Sequence, residues 1–291
     1  VKTKDWSFNF GFNISQNKNE ILELPENKND ELYTFGNKNY AYSVMMGDPL
    51  GSFYGYRYKG VYQNVEETYA VNTSGQRILD IDGNPVVMKN GDQKVYPGDA
   101  RYEDVNGDGV IDENDIVYLG NSNPTLTGGL NFTLRYKKVS LVAAFHGRAG
   151  QKVINQARMD MENMRGKNNQ SVAVLRRWRS EGDDTDIPRA LYDKGYNYLG
   201  SDRFVEDASF LRLKTVTLKY QMPAKWMKAI GVNKLELYAT GYDMFVWTKY
   251  KGQDPEVNLK AANDGTVAQV AIDSNNTPKP FKIAFGLNLN F

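Results

Sequence analysis

The sequence has no cysteine and a single histidine, His146, in 291 residues. Without thiols there is no disulfide framework, no thiolate zinc site and no cysteine nucleophile. One imidazole excludes a multi-histidine metal centre, and leaves room for a Ser-His-Asp triad only if His146 belongs to it. Charge of one sign is lacking as well. Lys and Arg number 36 against 35 Asp and Glu, for a net charge of +1, so nucleic acid would not be held by bulk charge. No stretch approaches the roughly 20 apolar residues of a membrane helix. The opening Val1-Lys2-Thr3-Lys4-Asp5-Trp6 has neither the basic nor the apolar region of a signal peptide. No phosphate-binding glycine loop, Gly-x-Ser-x-Gly elbow or His-Glu-x-x-His helix occurs.

What is present is rings in a polar chain. Aromatics make up 12%, with 19 Tyr and 13 Phe, while mean hydropathy is −0.59. Disordered chains are poor in rings, so the apolar residues must alternate with polar ones. Trp6, Phe8, Phe10, Phe12 and Ile14 share one strand face, and Ser7, Asn9, Gly11, Asn13 and Ser15 the other. The end repeats this, with Phe281, Ile283, Phe285, Leu287, Leu289 and Phe291 against Lys282, Ala284, Gly286, Asn288 and Asn290. Further strands are predicted over 130–136, 139–145, 208–220 (less cleanly alternating) and 233–244. Tyr-rich pieces at 38–46 and 51–62 bring the expected total to eight.

The connections alternate in length. Residues 18–37, 63–127, 150–207 and 245–279 are long and polar, whereas 47–50, 137–138 and 221–232 are short. Outer-membrane barrels have short turns on one side, long loops on the other, and strands of about 9–11 residues with apolar side chains toward lipid. The pattern therefore predicts an all-β, antiparallel transmembrane β-barrel section with long extracellular loops. A β-sandwich also alternates but does not require its loop lengths to do so. Asn9, Asn13, Thr133 and Arg135 would then line the lumen.

Several stretches resemble one family. Gly47-Asp48-Pro49-Leu50 with Gly51-Ser52-Phe53-Tyr54-Gly55-Tyr56, the run Gly98 to Ile111, Gly120-Asn121-Ser122-Asn123-Pro124 with Thr127-Gly128-Gly129, Trp178 to Arg189, and Ala208 to Lys214 before Tyr220-Gln221-Met222-Pro223 are similar, in order and spacing, to the SusC/RagA-type TonB-dependent outer-membrane transporters. The C-terminal Phe291 resembles that family's barrel-assembly signal. The resemblance implies that residues 1–291 are the C-terminal part of such a receptor, about the last eight strands of a 22-stranded barrel, with the plug and earlier strands absent from this chain. It implies import of glycan fragments or oligopeptides, a SusD-like surface lipoprotein as lid, TonB acting through the missing N-terminal part, contact with outer-membrane lipid, and pairing of transporter–lid units. No enzyme activity and no nucleic-acid partner are expected.

One constellation stands without the family. Asp104, Asn106, Asp108, Asp112 and Asp115 fall at positions 1, 3, 5, 9 and 12 of an EF-hand-like loop, with Gly109 at the sharp turn and the Val110 carbonyl at position 7. Calcium, held for a structural purpose, is the expected ligand. An Asn/Asp/Gly turn that binds nothing is the alternative. Asp80-x-Asp82-Gly83-Asn84 lacks later ligands and reads as a turn. His146 reads as a wall side chain, Asp183-Asp184 as a solvated turn, and Arg176, Arg177 and Arg179 as salt-bridged to neighbouring acids or docking a lid. The reading from another class is a secreted, calcium-stabilised β-sandwich that binds glycan and stays soluble without detergent.

Overall fold

The computed structural model describes residues 1–24, 33–34, 40–42, 45–229, 231–261, 269–275 and 277–291. Its frame is one antiparallel sheet of six long strands: β1 (Trp6–Gln16), β2 (Leu126–Tyr136), β3 (Val139–Ala149), β4 (Phe210–Gln221), β5 (Lys234–Thr248) and β6 (Lys282–Asn290). They pair strictly in chain order. The register runs from Trp6 opposite Tyr136 to Gln16 opposite Leu126 in the first pair, and from Lys234 opposite Asn290 to Tyr242 opposite Lys282 in the last. Alternation fixes that register, because a slip of one residue would turn every ring to the wrong face.

The apolar face is bare. Phe12 is 73% exposed and Phe285 81%. Neighbouring rings stack along the surface, Trp6 on Tyr136 at 4.3 Å, Phe132 on Phe145 at 6.4 Å and Phe145 on Trp247 at 6.3 Å. Among the described residues no second sheet covers this face, which a sandwich would require. No described helix is long and apolar enough to cross a membrane. A bare face of this kind suits hydrocarbon. Among the described residues neither outer edge of the sheet meets another long strand. Beside β1 Lys2 bridges to Ser7, and the Val1 ammonium donates to the Phe8 carbonyl at 2.9 Å. The sheet is an open section of barrel wall.

The expected count of eight wall strands is corrected to six among the described residues. The Tyr-rich pieces leave the wall. Ala41–Tyr42 and Ser52–Gly55 pair with Tyr33–Thr34 and Val117–Asn121 in a separate four-stranded sheet, while Tyr58–Val61 pairs with Ala100–Tyr102. Positions 38–39 and 43–44 of the first piece lie outside the described residues. The physical reason is burial on both faces. Ser52, Phe53, Tyr54 and Gly55 are all buried, as are Tyr56 and Tyr62, so their alternation belongs to a core. Six strands keep the same parity, with all long connections at one end and Lys137-Lys138 and 222–233 at the other. The blurred pattern in β4 has its own cause: register shifts beside Leu213–Thr215 against both neighbours, with Asp243 at φ 49°.

The long connections form a layer over the loop end of the wall. Its cores are Tyr56, Tyr62, Met88, Tyr102, Ile111 and Leu199 in one cluster, and Tyr40, Phe53, Ile154, Met159, Phe204 and Val270 in another. Helix α1 (Gln156–Glu162) starts on Asn155, whose side chain accepts from the Arg158 amide. Val172–Arg176 forms a 3₁₀ turn.

Candidate functional site

Two surfaces carry candidate function: the polar face of the wall and the acidic loop in the layer above it. On the polar face Asn9 lies opposite Thr133, and Asn13 opposite Gly129. Arg135 donates to the Gln221 side chain at 3.4 Å and to the Lys137 carbonyl at 3.1 Å. Thr217 and Thr240 share a hydrogen bond of 2.9 Å, and Lys219 lies 3.8 Å from Glu236. The expected lumen residues thus share one hydrophilic face of amides, hydroxyls and paired charges, opposite the rings. His146 sits on this face, in register with Gly129 and Arg212, its ring edge-on to Phe210 at 5.9 Å. It is a wall residue.

The acidic loop is built by backbone amides. Asp104 accepts from Gly107, Asp108 and Gly109 at 2.7, 3.3 and 2.8 Å. Asn106 accepts from the Asp108 amide, and Asp108 from Val110 at 2.8 Å. Asp112 caps a 3₁₀ turn by accepting from Asn114, and Asp115 reaches back to the Asp112 amide at 2.9 Å and to Val105 at 2.7 Å. Gly107 (φ 72°) abuts the Thr73 backbone, and Gly109 (φ 86°) abuts Ala70. A side chain at either place would be strained and crowded. Burial pushes the Asp115 carboxyl up, and the charges of Asp104 and Asp112 push it further, against hydrogen bonds from Asp112 and Val105 that pull it down. Among the described residues no three carboxylates or imidazoles gather closely enough to count as a metal-holding group. The predicted ligand residues are thus brought onto one compact turn, but their oxygens point at amides rather than at a common centre. Asp80 likewise accepts from Asp82 and Asn84 as a simple turn.

Other expectations fare unevenly. Asp183 accepts from the Arg179 and Ser180 amides, as a solvated turn should. Arg177 and Arg179 bond backbone carbonyls of Val174 and Leu175. Among the described residues neither they nor Arg176 pairs with an acid, so the anticipated salt bridges are not formed.

The structure also brings together charges that the sequence kept apart. Asp99, fully buried, holds Arg189 at 2.7 Å and Asn197 at 3.2 Å. Glu162 joins Arg158 at 2.9 Å and Arg203 at 3.1 Å, and Glu206 takes Arg158 at 3.1 Å. Arg212, 3% exposed, pairs with Asp254 and with Glu256 at 3.4 Å. Only Arg158–Glu162, at i,i+4 spacing, had a local signal.

No family model matches the chain. Among curated proteins it is similar to TonB-dependent receptor P26 of Formosa agariphila, 32% identical over 297 residues that cover all of this chain and 28% of the relative. It is also similar to TonB-dependent receptor SusC of Bacteroides thetaiotaomicron, 26% identical, covering all of this chain and 25% of that protein. Among solved structures, the RagAB peptide importer in its closed-closed state superposes with a TM-score of 0.69 at 24% identity, over all of this chain and 28% of the other, a likeness of fold. The chain spans between a quarter and three tenths of the length of these proteins. With the open wall, its bare ring-bearing face and the folded layer at one end, these likenesses place the chain in the SusC/RagA family of TonB-dependent receptors, of which it is a section.

Proposed function

We propose that this chain forms the C-terminal part of the barrel of a SusC/RagA-type importer in the outer membrane. There it works with a plug and earlier strands, TonB, and a SusD-like surface lipoprotein, as a dimer of transporter-lid units, to take up glycan fragments or oligopeptides. The observation that carries this is the six-stranded sheet, apolar and bare on one face, hydrophilic on the other, and unpaired at both outer edges among the described residues. Such a sheet is stable only when lipid meets its rings and further strands meet its edges. The family-named relatives support the same reading, and a peptide importer shares the fold.

The test is to place an epitope within 262–268, leaving Phe291 free, and to purify the protein from outer membranes in mild detergent. Peptides of a plug and earlier strands together with a surface lipoprotein are expected by mass spectrometry. A lone 33.0 kDa species that stays soluble without detergent would overturn the reading in favour of a secreted sandwich.

For the loop 104–115 we propose a structural calcium ion, held by Asp104, Asn106, Asp108, Asp112, Asp115 and the Val110 carbonyl. The crowding of Asp104 and Asp112 on buried Asp115 supports this, because a cation would relieve it. Asp104→Ala with Asp108→Ala should abolish the calorimetric heat of calcium binding, and unchanged heat would reject the site.

A further inference from the structure

We infer that the described parts of the connection after β5, residues 249–261, 269–275 and 277–281, are a fixed lining of the conduit mouth rather than a movable cover, riveted to the inner face of the wall by an ion cluster centred on buried Arg212. This rests on the importer reading above. The face is set by register. Leu211 pairs with Gly147 and Trp247, and Leu213 with Phe145 and Phe245, so these residues share the ring-bearing face. Arg212, between them, points to the opposite, hydrophilic side, where it is only 3% exposed. What covers it there is Asp254 and Glu256 from the β5–β6 connection. The bulge that shifts the register at Leu213–Thr215 turns Lys214 to the same side, 3.2 Å from Glu256 and 3.4 Å from Asp243. Lys279, at the far end of the same connection, closes on Glu256 too. The near end of the connection is thus drawn onto the wall's inner face, and its far end is tied to the near one through Lys279.

The segment is fastened again from the layer above. The Gln151 side chain donates to the Pro255 carbonyl at 3.3 Å. The Lys251 amide donates to Glu206, and Tyr250 donates to Asp273 at 2.6 Å. Ile272 bridges to Ile154. Val257 packs in a cluster with Val153, Ala208, Tyr250 and Ala271, at 8% exposure. Arg212 and Asp254 are buried together at the centre of this cluster, and a buried ion pair loses much when one member is removed; a segment anchored by it and by an apolar cluster opens far less often than an exposed loop.

The full transporter is tested in the outer membrane of living cells with a membrane-impermeant maleimide, because these 291 residues hold no cysteine. Val257→Cys reports the riveted stretch. Leu259→Cys, at a position 43% exposed on the same connection, reports the outside. Labelling at 257 is expected to be at least about tenfold slower than at 259, whether TonB is energised or not. Adding Arg212→Met, or Glu256→Gln should the first not reach the membrane, is expected to bring the two rates together. Rapid labelling at 257 in energised cells would overturn the inference, since the segment would then swing away during transport. Protection that survives loss of the cluster would overturn the rivet. Failure of Leu259→Cys to label at all would instead count against an outward-facing mouth, and so against the importer reading itself.

Discussion

The wall and the layer above it use the same residues for opposite ends. In the wall, rings at every second position face outward and remain bare, Phe10 and Phe12 among them. In the layer, rings at every second position face inward, and Tyr54, Tyr56 and Tyr62 are buried. Charges reverse in the same way. The wall's lumen side keeps Arg135 and Lys219 half in water, whereas the layer seals Asp99 and Glu162 against arginines. Period-two alternation therefore reports a strand but not its solvent, since a ring facing lipid and a ring facing a core leave the same mark in the sequence.

That contrast can be broken from either side. The largest effect is expected in the layer. Asp99→Ala leaves Arg189 and Asn197 without their buried partner, at roughly 3–5 kcal/mol, and should make 40–122 and 151–208 sensitive to limited proteolysis while the wall stays protease-resistant in detergent. Next comes the wall. Phe10→Arg, near the middle of β1, should cost about 2–4 kcal/mol in urea titrations in lipid bilayers, with no change in proteolysis of the layer. A smaller, pH-dependent effect belongs to the seam between the two. Burial opposes ionisation of Glu256, but hydrogen bonds and charge from Lys279 and Lys214 outweigh it and hold the carboxyl down at about 2, from an ordinary 4.5. An acid lowered in the fold contributes stability above its unfolded pKa and loses it as pH falls toward the folded one. Between about pH 4.5 and 2 the wild type should lose protection of the 249–281 connection in hydrogen exchange, and Glu256→Gln should flatten that loss. Smallest of all is Arg77→Ala, which removes an exposed pair with Glu66. A change below about 1 kcal/mol is expected from thermal unfolding, and a larger one would mean that the turn beside it is better fixed than its exposure implies.

How far the sequence foretold this depends on whether the partners were near or far. β1, β6 and the β2–β3 hairpin were legible because each carries its alternation in one run and a short turn joins the middle pair. The Tyr-rich pieces misled because period two was read as a wall signal, when burial on both sides was the deciding fact. β4 was blurred by a bulge that local pattern cannot locate. The acidic loop was recognisable as a tight turn from Gly109 and the spacing of its Asp and Asn residues, yet the direction of its oxygens depends on amide geometry that no spacing reveals. Arg212 with Asp254, and Asp99 with Arg189, are separated by 42 and 90 residues, and nothing local distinguishes them from solvated charges.

The placement of the layer within the chain also bears on how the protein is put together. β2 and β3 meet across the two residues Lys137 and Lys138 and can zip from their own turn, as can β4 and β5 from the short connection 222–233. β1 meets β2 only after residues 17–125 have been carried to the loop side. Closing a long loop adds little free energy per extra residue, but contacts distant in sequence form slowly. Of the five seams, the one between β1 and β2 joins the partners farthest apart in sequence, and it is expected to form most slowly.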